Sequence, residues 1–119
     1  MNNAIKKELK DNGVMVLTLN RPEVLNAMNR DLIMGLYETF QEIEKEKDSR
    51  VIIITGEGRG FCSGADLANG GWPSEEGMTG GEAGANNMEI GFNPLIRLIT
   101  SIDKPVITAI NGIAAGGGV

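Results

Sequence analysis

The residues best placed to do chemistry in this sequence are glycines. Gly58-Arg59-Gly60-Phe61-Cys62-Ser63-Gly64-Ala65-Asp66-Leu67 follows the apolar run Val51-Ile52-Ile53-Ile54-Thr55. Asn111-Gly112 through Gly116-Gly117-Gly118 follows a second apolar run, Pro105-Val106-Ile107-Thr108-Ala109-Ile110. A strand that ends in closely spaced glycines delivers main chain to a ligand, because glycine has no Cβ and tolerates positive φ. Two such units facing each other would supply the paired N–H donors of an oxyanion hole, the device that stabilises charge developing on a carbonyl oxygen.

Composition removes several other chemistries. The 119 residues contain no histidine, so a Ser-His-Asp or Cys-His mechanism and His-ligated zinc are excluded within them. The single cysteine, Cys62, cannot form an internal disulfide and fits a reducing compartment. A net charge of -5 gives no general attraction to nucleic acid or to an anionic membrane. No stretch approaches the roughly 20 apolar residues of a membrane span, and Met1–Lys7 lacks a signal-peptide core, so a cytoplasmic location is expected. Gly56-Glu57-Gly58-Arg59-Gly60 is not a dinucleotide fingerprint, no lysine follows a glycine run as in a P-loop, and Ser63 directly before Gly64 is not a nucleophile elbow.

The elements that must position the glycines follow from periodicity. Asp11-Asn12-Gly13 predicts a hairpin turn between a loosely alternating segment at 4–10 and a strand at 14–19, which Pro22 then interrupts. Asn29 as N-cap, with Leu32, Leu36, Phe40 and Ile43 at helical spacing, predicts a helix over about 29–47. A strand at 51–55 leads into the first glycine unit. Residues 68–91, rich in glycine and poor in apolar pattern, read as a long mobile loop. Asn93-Pro94 predicts the start of a helix over about 94–102, followed by a strand at 105–110 and a helix beginning near Gly117. Alternating elements with nearly all-apolar strands indicate an α/β protein with buried parallel pairing. Periodicity leaves open whether the strands form one layer or a spiral of stacked units. The apolar, glycine-rich end at Gly118-Val119 reads as the interior of a longer chain, since termini normally lie on polar surface.

Three motifs in order, Asn20-Arg21-Pro22 with Leu25-Asn26-Ala27-Met28, Gly60-Phe61-Cys62-Ser63-Gly64-Ala65-Asp66-Leu67, and Lys104-Pro105-Val106 through Asn111-Gly112-Ile113-Ala114-Ala115-Gly116-Gly117-Gly118, resemble the crotonase (enoyl-CoA hydratase/isomerase) superfamily. The resemblance runs from about residue 4 to the last residue. It implies a crotonase-like spiral of ββα repeats, of which residues 1–119 are the N-terminal part of a single domain, cut after the third strand–glycine unit. It implies an acyl-CoA thioester enzyme, foremost an enoyl-CoA hydratase, that forms a homotrimer or a dimer of trimers and uses no cofactor beyond the coenzyme A of its substrate. By motif match the oxyanion N–H groups are those of Ala65 and Gly117. The CoA moiety would lie along Asn26, Ala27, Ser63, Ala65, Asp66, Leu67 and Ala68.

The same residues admit plainer readings. Both glycine runs could be tight turns. Arg21, Arg30 and Arg59 read either as phosphate contacts or as solvated surface arginines. The resemblance makes Asp66 a structural or adenine-side residue rather than a catalytic acid. Cys62, flanked by Phe61 and Ser63 with no histidine available, reads as a small buried residue rather than a nucleophile. Trp72 reads as a lid aromatic or an exposed loop residue. The resemblance also implies two glutamates that select the reaction, the first directly after Val119 and the second beyond it. An isomerase, an acyl-CoA hydrolase, a Clp-type peptide hydrolase and a non-catalytic CoA-binding or scaffold member therefore stand as alternatives. The isolated residues 1–119 are expected to leave apolar surface uncovered.

Overall fold

A computed structural model describes residues 3–66 and 92–119. The loop expected at 68–91, with Trp72, and the CoA positions Leu67 and Ala68 lie outside these. Six strands and two helices occur among the described residues: β1 (Ile5–Leu9), β2 (Val14–Leu19), α1 (Arg30–Lys45), β3 (Val51–Gly56), β4 (Gly60–Cys62), α2 (Asn93–Ser101), β5 (Val106–Thr108) and β6 (Ile113–Ala114). Single 3₁₀ turns occupy Pro22–Val24 and Gly116–Gly118.

The main sheet has the order β1-β2-β3-β5. β1 and β2 form the antiparallel hairpin that Asp11-Asn12-Gly13 predicts, with Ile5 opposite Leu19 and Leu9 opposite Met15. Gly13 sits at φ 86°, a conformation that favours glycine. β2 pairs parallel with β3, and β3 parallel with β5. The sequence pattern suggests strands buried on both faces, but burial alternates. Met15, Leu17 and Leu19 of β2 and Ile52 and Ile54 of β3 are buried, while their neighbours are only partly covered. The buried set joins one cluster with Leu32, Ile33, Leu36, Phe40 and Ile43 of α1 and Leu95 of α2. Both helices therefore serve the same face, and Ile107 of β5 is 52% exposed.

α1 is bounded as its sequence dictates. The Asn29 side chain accepts a hydrogen bond from Leu32 N at 2.9 Å, and Asp31 lies in the positively polarised first turn. At the other end Lys104 Nζ donates to the carbonyl oxygens of Ile43 (2.8 Å) and Glu46 (2.9 Å), satisfying carbonyls that the ending helix leaves open. Each large side chain α1 buries contributes about 2 kcal/mol. α2 starts one residue earlier than the Asn-Pro pattern predicts, with Asn93 as its first residue and Phe92 in the cap position. The strand expected over 105–110 is shorter, because the chain leaves the main sheet after Thr108 and returns as β6 in a second sheet. The helix expected near Gly117 is a single 3₁₀ turn.

Candidate active site

The first glycine unit is not a plain loop. Gly60–Cys62 forms β4, which pairs parallel with β6 through Gly60 opposite Ile113 and Cys62 opposite Ala114, with an irregularity between them. The two strand–glycine units thus meet as a two-stranded sheet, a pairing too short for periodicity to reveal. Glycine is required where the backbones touch. A Cβ on Gly112 would lie 2.0 Å from Arg59 O, and one on Gly118 would lie 2.2 Å from Cys62 O.

Two asparagines fasten the turn that carries β4. Asn26 is fully buried; its side-chain oxygen accepts from Arg21 N (2.7 Å), and Nδ2 donates to Glu57 O (3.1 Å) and Gly60 O (3.0 Å). Asn111 approaches from the second unit. Its Nδ2 donates to Gly58 O (3.0 Å) and Gly60 O (3.3 Å), while its oxygen accepts from Gly56 N (3.0 Å) and Thr55 Oγ1 (3.3 Å). Leu25 and Asn26 are consecutive residues at positive φ, 53° and 56°, a conformation that asparagine tolerates better than leucine. With its carboxamide fully engaged, Asn26 has only main chain left for a ligand. Ala27 is buried beside it, and Ser63 N donates to Leu25 O at 3.0 Å.

Beyond β4 and β6 the chains remain in contact. Gly64 is at φ 111°, and a Cβ there would lie 3.2 Å from Ala115 O; a Cβ on Gly116 would lie 3.8 Å from Gly64 Cα. Ala65 and Gly117 each follow this point of closest approach by one residue. Gly64 O accepts from Met28 N at 2.7 Å, and Asp66 N donates to Met28 O at 2.9 Å. In a trans peptide the C=O and the following N–H point in opposite directions. The Ala65 N–H therefore points away from Met28. By the same rule Gly116 O, which accepts from Val119 N at 3.2 Å, turns the Gly117 N–H away from Val119. Both N–H groups are unclaimed among the described residues.

Beside Gly117 lies an apolar cavity of about 170 Å³, lined by Met28, Phe61, Cys62, Phe92 and Leu95 among others. A Cβ on Gly117 would come within 2.5 Å of Met28 Cε at this wall. The Cys62 thiol is buried, and desolvation pushes its pKa up against the lowering effect of a backbone hydrogen bond at Gly64. It stays a neutral thiol, as the reading of a small buried residue requires. Of the three arginines weighed as phosphate contacts, Arg30 and Arg59 are exposed. Arg21 instead pairs with Asp66, its Nη1 lying 2.9 Å from Oδ2, with both side chains largely buried. This pair and the Asn111 clasp escape sequence reasoning, since each joins residues about 45 or more positions apart. An asparagine directly before glycine at a strand end was the one local signal for Asn111.

A sequence model of the family described as enoyl-CoA hydratase/isomerase matches residues 9–119. The chain belongs to this family. It is 41% identical over 113 residues to the 1,2-epoxyphenylacetyl-CoA isomerase of Escherichia coli, covering 91% of this chain and 40% of that protein. It is 39% identical to a probable enoyl-CoA hydratase of Mycobacterium bovis, covering 86% of this chain and 36% of that one. Among solved structures, a probable enoyl-CoA hydratase/isomerase from Mycobacterium abscessus superposes with a TM-score of 0.80 at 35% identity, over 98% of this chain and 42% of its own. An enoyl-CoA hydratase from Bacillus anthracis gives 0.80 at 32% identity, over 98% and 43%. The fold is the crotonase fold, and the chain spans about 40% of the length of these relatives.

Proposed function

We propose that this chain forms the thioester-polarising part of an acyl-CoA enzyme, in which the N–H groups of Ala65 and Gly117 together hold the oxygen of an enolate-like intermediate. The observation that carries the reading is the meeting of the two glycine units, with both N–H groups unclaimed among the described residues and Gly117 in the wall of an apolar cavity. An acyl chain suits that cavity, and a thioester carbonyl at its mouth gains charge in the transition state. A second donor matters because each preorganised N–H contributes about 3 kcal/mol of transition-state stabilisation. On this reading coenzyme A enters as part of the substrate, along the backbone at Asn26, Ala27, Ser63, Ala65 and Asp66 and onward through Leu67 and Ala68. Assembly into a trimer or a dimer of trimers belongs to the same reading.

Hydration of an α,β-unsaturated acyl-CoA is the reaction we favour, supported by the hydratase names among the relatives. The enoyl-CoA isomerase name of one solved structure at 30% identity favours a second reading, in which the same enolate is reprotonated elsewhere without addition of water. Incubating the whole protein with crotonyl-CoA tests the class. Loss of the conjugated thioester absorbance with a hydroxyacyl-CoA product supports hydration. Conversion of a non-conjugated enoyl-CoA with no water incorporated supports isomerisation, and a protein that neither binds nor converts thioesters contradicts both.

A further inference from the structure

We propose that Arg21 and Asp66 are positioning residues that fix the direction of the Ala65 N–H, an inference that rests on the oxyanion reading above. Ala65 lies between two peptide units. The Gly64–Ala65 unit is held by Met28 N on Gly64 O, and the Ala65–Asp66 unit by Asp66 N on Met28 O. These two bonds form an isolated parallel bridge, Met28 opposite Ala65. Next to it Gly64 sits at φ 111°, and glycine allows the neighbouring peptide unit to turn at little cost.

The Arg21 side chain closes the same junction from outside. Its Nη1 donates both to Ala27 O and to Asp66 Oδ2, so one guanidinium nitrogen ties the residue before Met28 to the residue after Ala65. Arg21 is itself anchored through its backbone N–H, which donates to the buried Asn26 side chain. The two side chains are 19% and 15% exposed, dry enough for the pair to act as a geometric brace rather than a loose surface contact. Neither charged group needs to touch substrate for this. Its effect is to keep the peptide unit from turning, and misplacement of a reacting group by about 1 Å can reduce a rate roughly 100-fold.

The test follows the thioester carbonyl stretch of bound butyryl-CoA by difference infrared spectroscopy in the whole protein, with binding affinity measured in parallel. Polarisation by two N–H donors lowers that frequency. In Asp66→Ala, read at saturating butyryl-CoA so that any weaker binding does not enter, we expect roughly half or more of the shift to be lost. Asp66→Asn, which still offers Arg21 an acceptor, should recover most of it. Arg21→Met breaks the brace from the other end and carries the test where Asp66→Ala does not fold. A full shift in Asp66→Ala or Arg21→Met overturns the inference. A wild-type protein with no shift overturns the oxyanion reading itself, so the two failures are distinct.

Discussion

Asn26 shows how one side chain can hold a site without taking part in it. It is buried, at positive φ, and its carboxamide satisfies Arg21 N, Glu57 O and Gly60 O. Asn26→Ala leaves these groups unsatisfied and places a Cβ residue without a polar tip in the left-handed region. We expect a loss of about 2–4 kcal/mol, read as a lowered denaturant midpoint with an unchanged slope. The Leu25-Asn26-Ala27 motif was visible in the sequence, but its physical role was not. A buried clasp is defined by its three distant partners, and the sequence shows only the residue. The glycines were more legible, since a glycine's freedom is a property of the residue itself. Gly64 is a case in point, at φ 111° with any Cβ 3.2 Å from Ala115 O.

At the scale of elements, α1 was legible nearly to the residue because amphipathic spacing, an asparagine cap and an acidic first turn agree. The way it ends was not. Glu46, just past the helix, accepts from Ser49 Oγ, Lys104 Nζ and the backbone of Asp48 and Ser49. Its hydrogen bonds from Ser49 and then Lys104 lower its pKa from 4.5 to about 2. A depressed carboxylate contributes stability that is fully present above pH 4.5 and is lost as the pH falls towards 2. Its side chain is 30% exposed, so solvent screening trims the contribution to about 1 kcal/mol. Lys104→Met should therefore lower stability at pH 7 and flatten the decline of stability between pH 4.5 and 2, measured by urea unfolding at each pH. A variant with the wild-type acid profile would contradict this role. β4 and β6, of three and two residues, are too short for any periodicity to mark, and only their pairing defines them.

Across the whole molecule, the sheet carries both helices on one face and leaves Ile107, Ile110 and Ile113 between 52% and 58% exposed on β5 and the segment that follows it. Ile107 lies on the main sheet, Ile110 outside any strand and Ile113 on β6 of the second sheet, so this exposed apolar surface runs from one sheet towards the other. Order of elements and parallel pairing were readable from apolar runs. The spiral was not, because a turn from one sheet into another depends on contacts such as Gly112 against Arg59 O rather than on any pattern along the chain. Among the described residues no helix is long and apolar enough to cross a membrane. The proposed site lies beside the β4–β6 pair and would draw main chain from both halves of the described chain.

The most direct measurement of the central claim is a crystal structure of the whole protein with an unreactive acyl-CoA thioester bound. The account predicts the thioester oxygen within about 3.2 Å of both the Ala65 and the Gly117 nitrogens, with each hydrogen aimed at it. A carbonyl oxygen that meets only one of them, or neither, would contradict it.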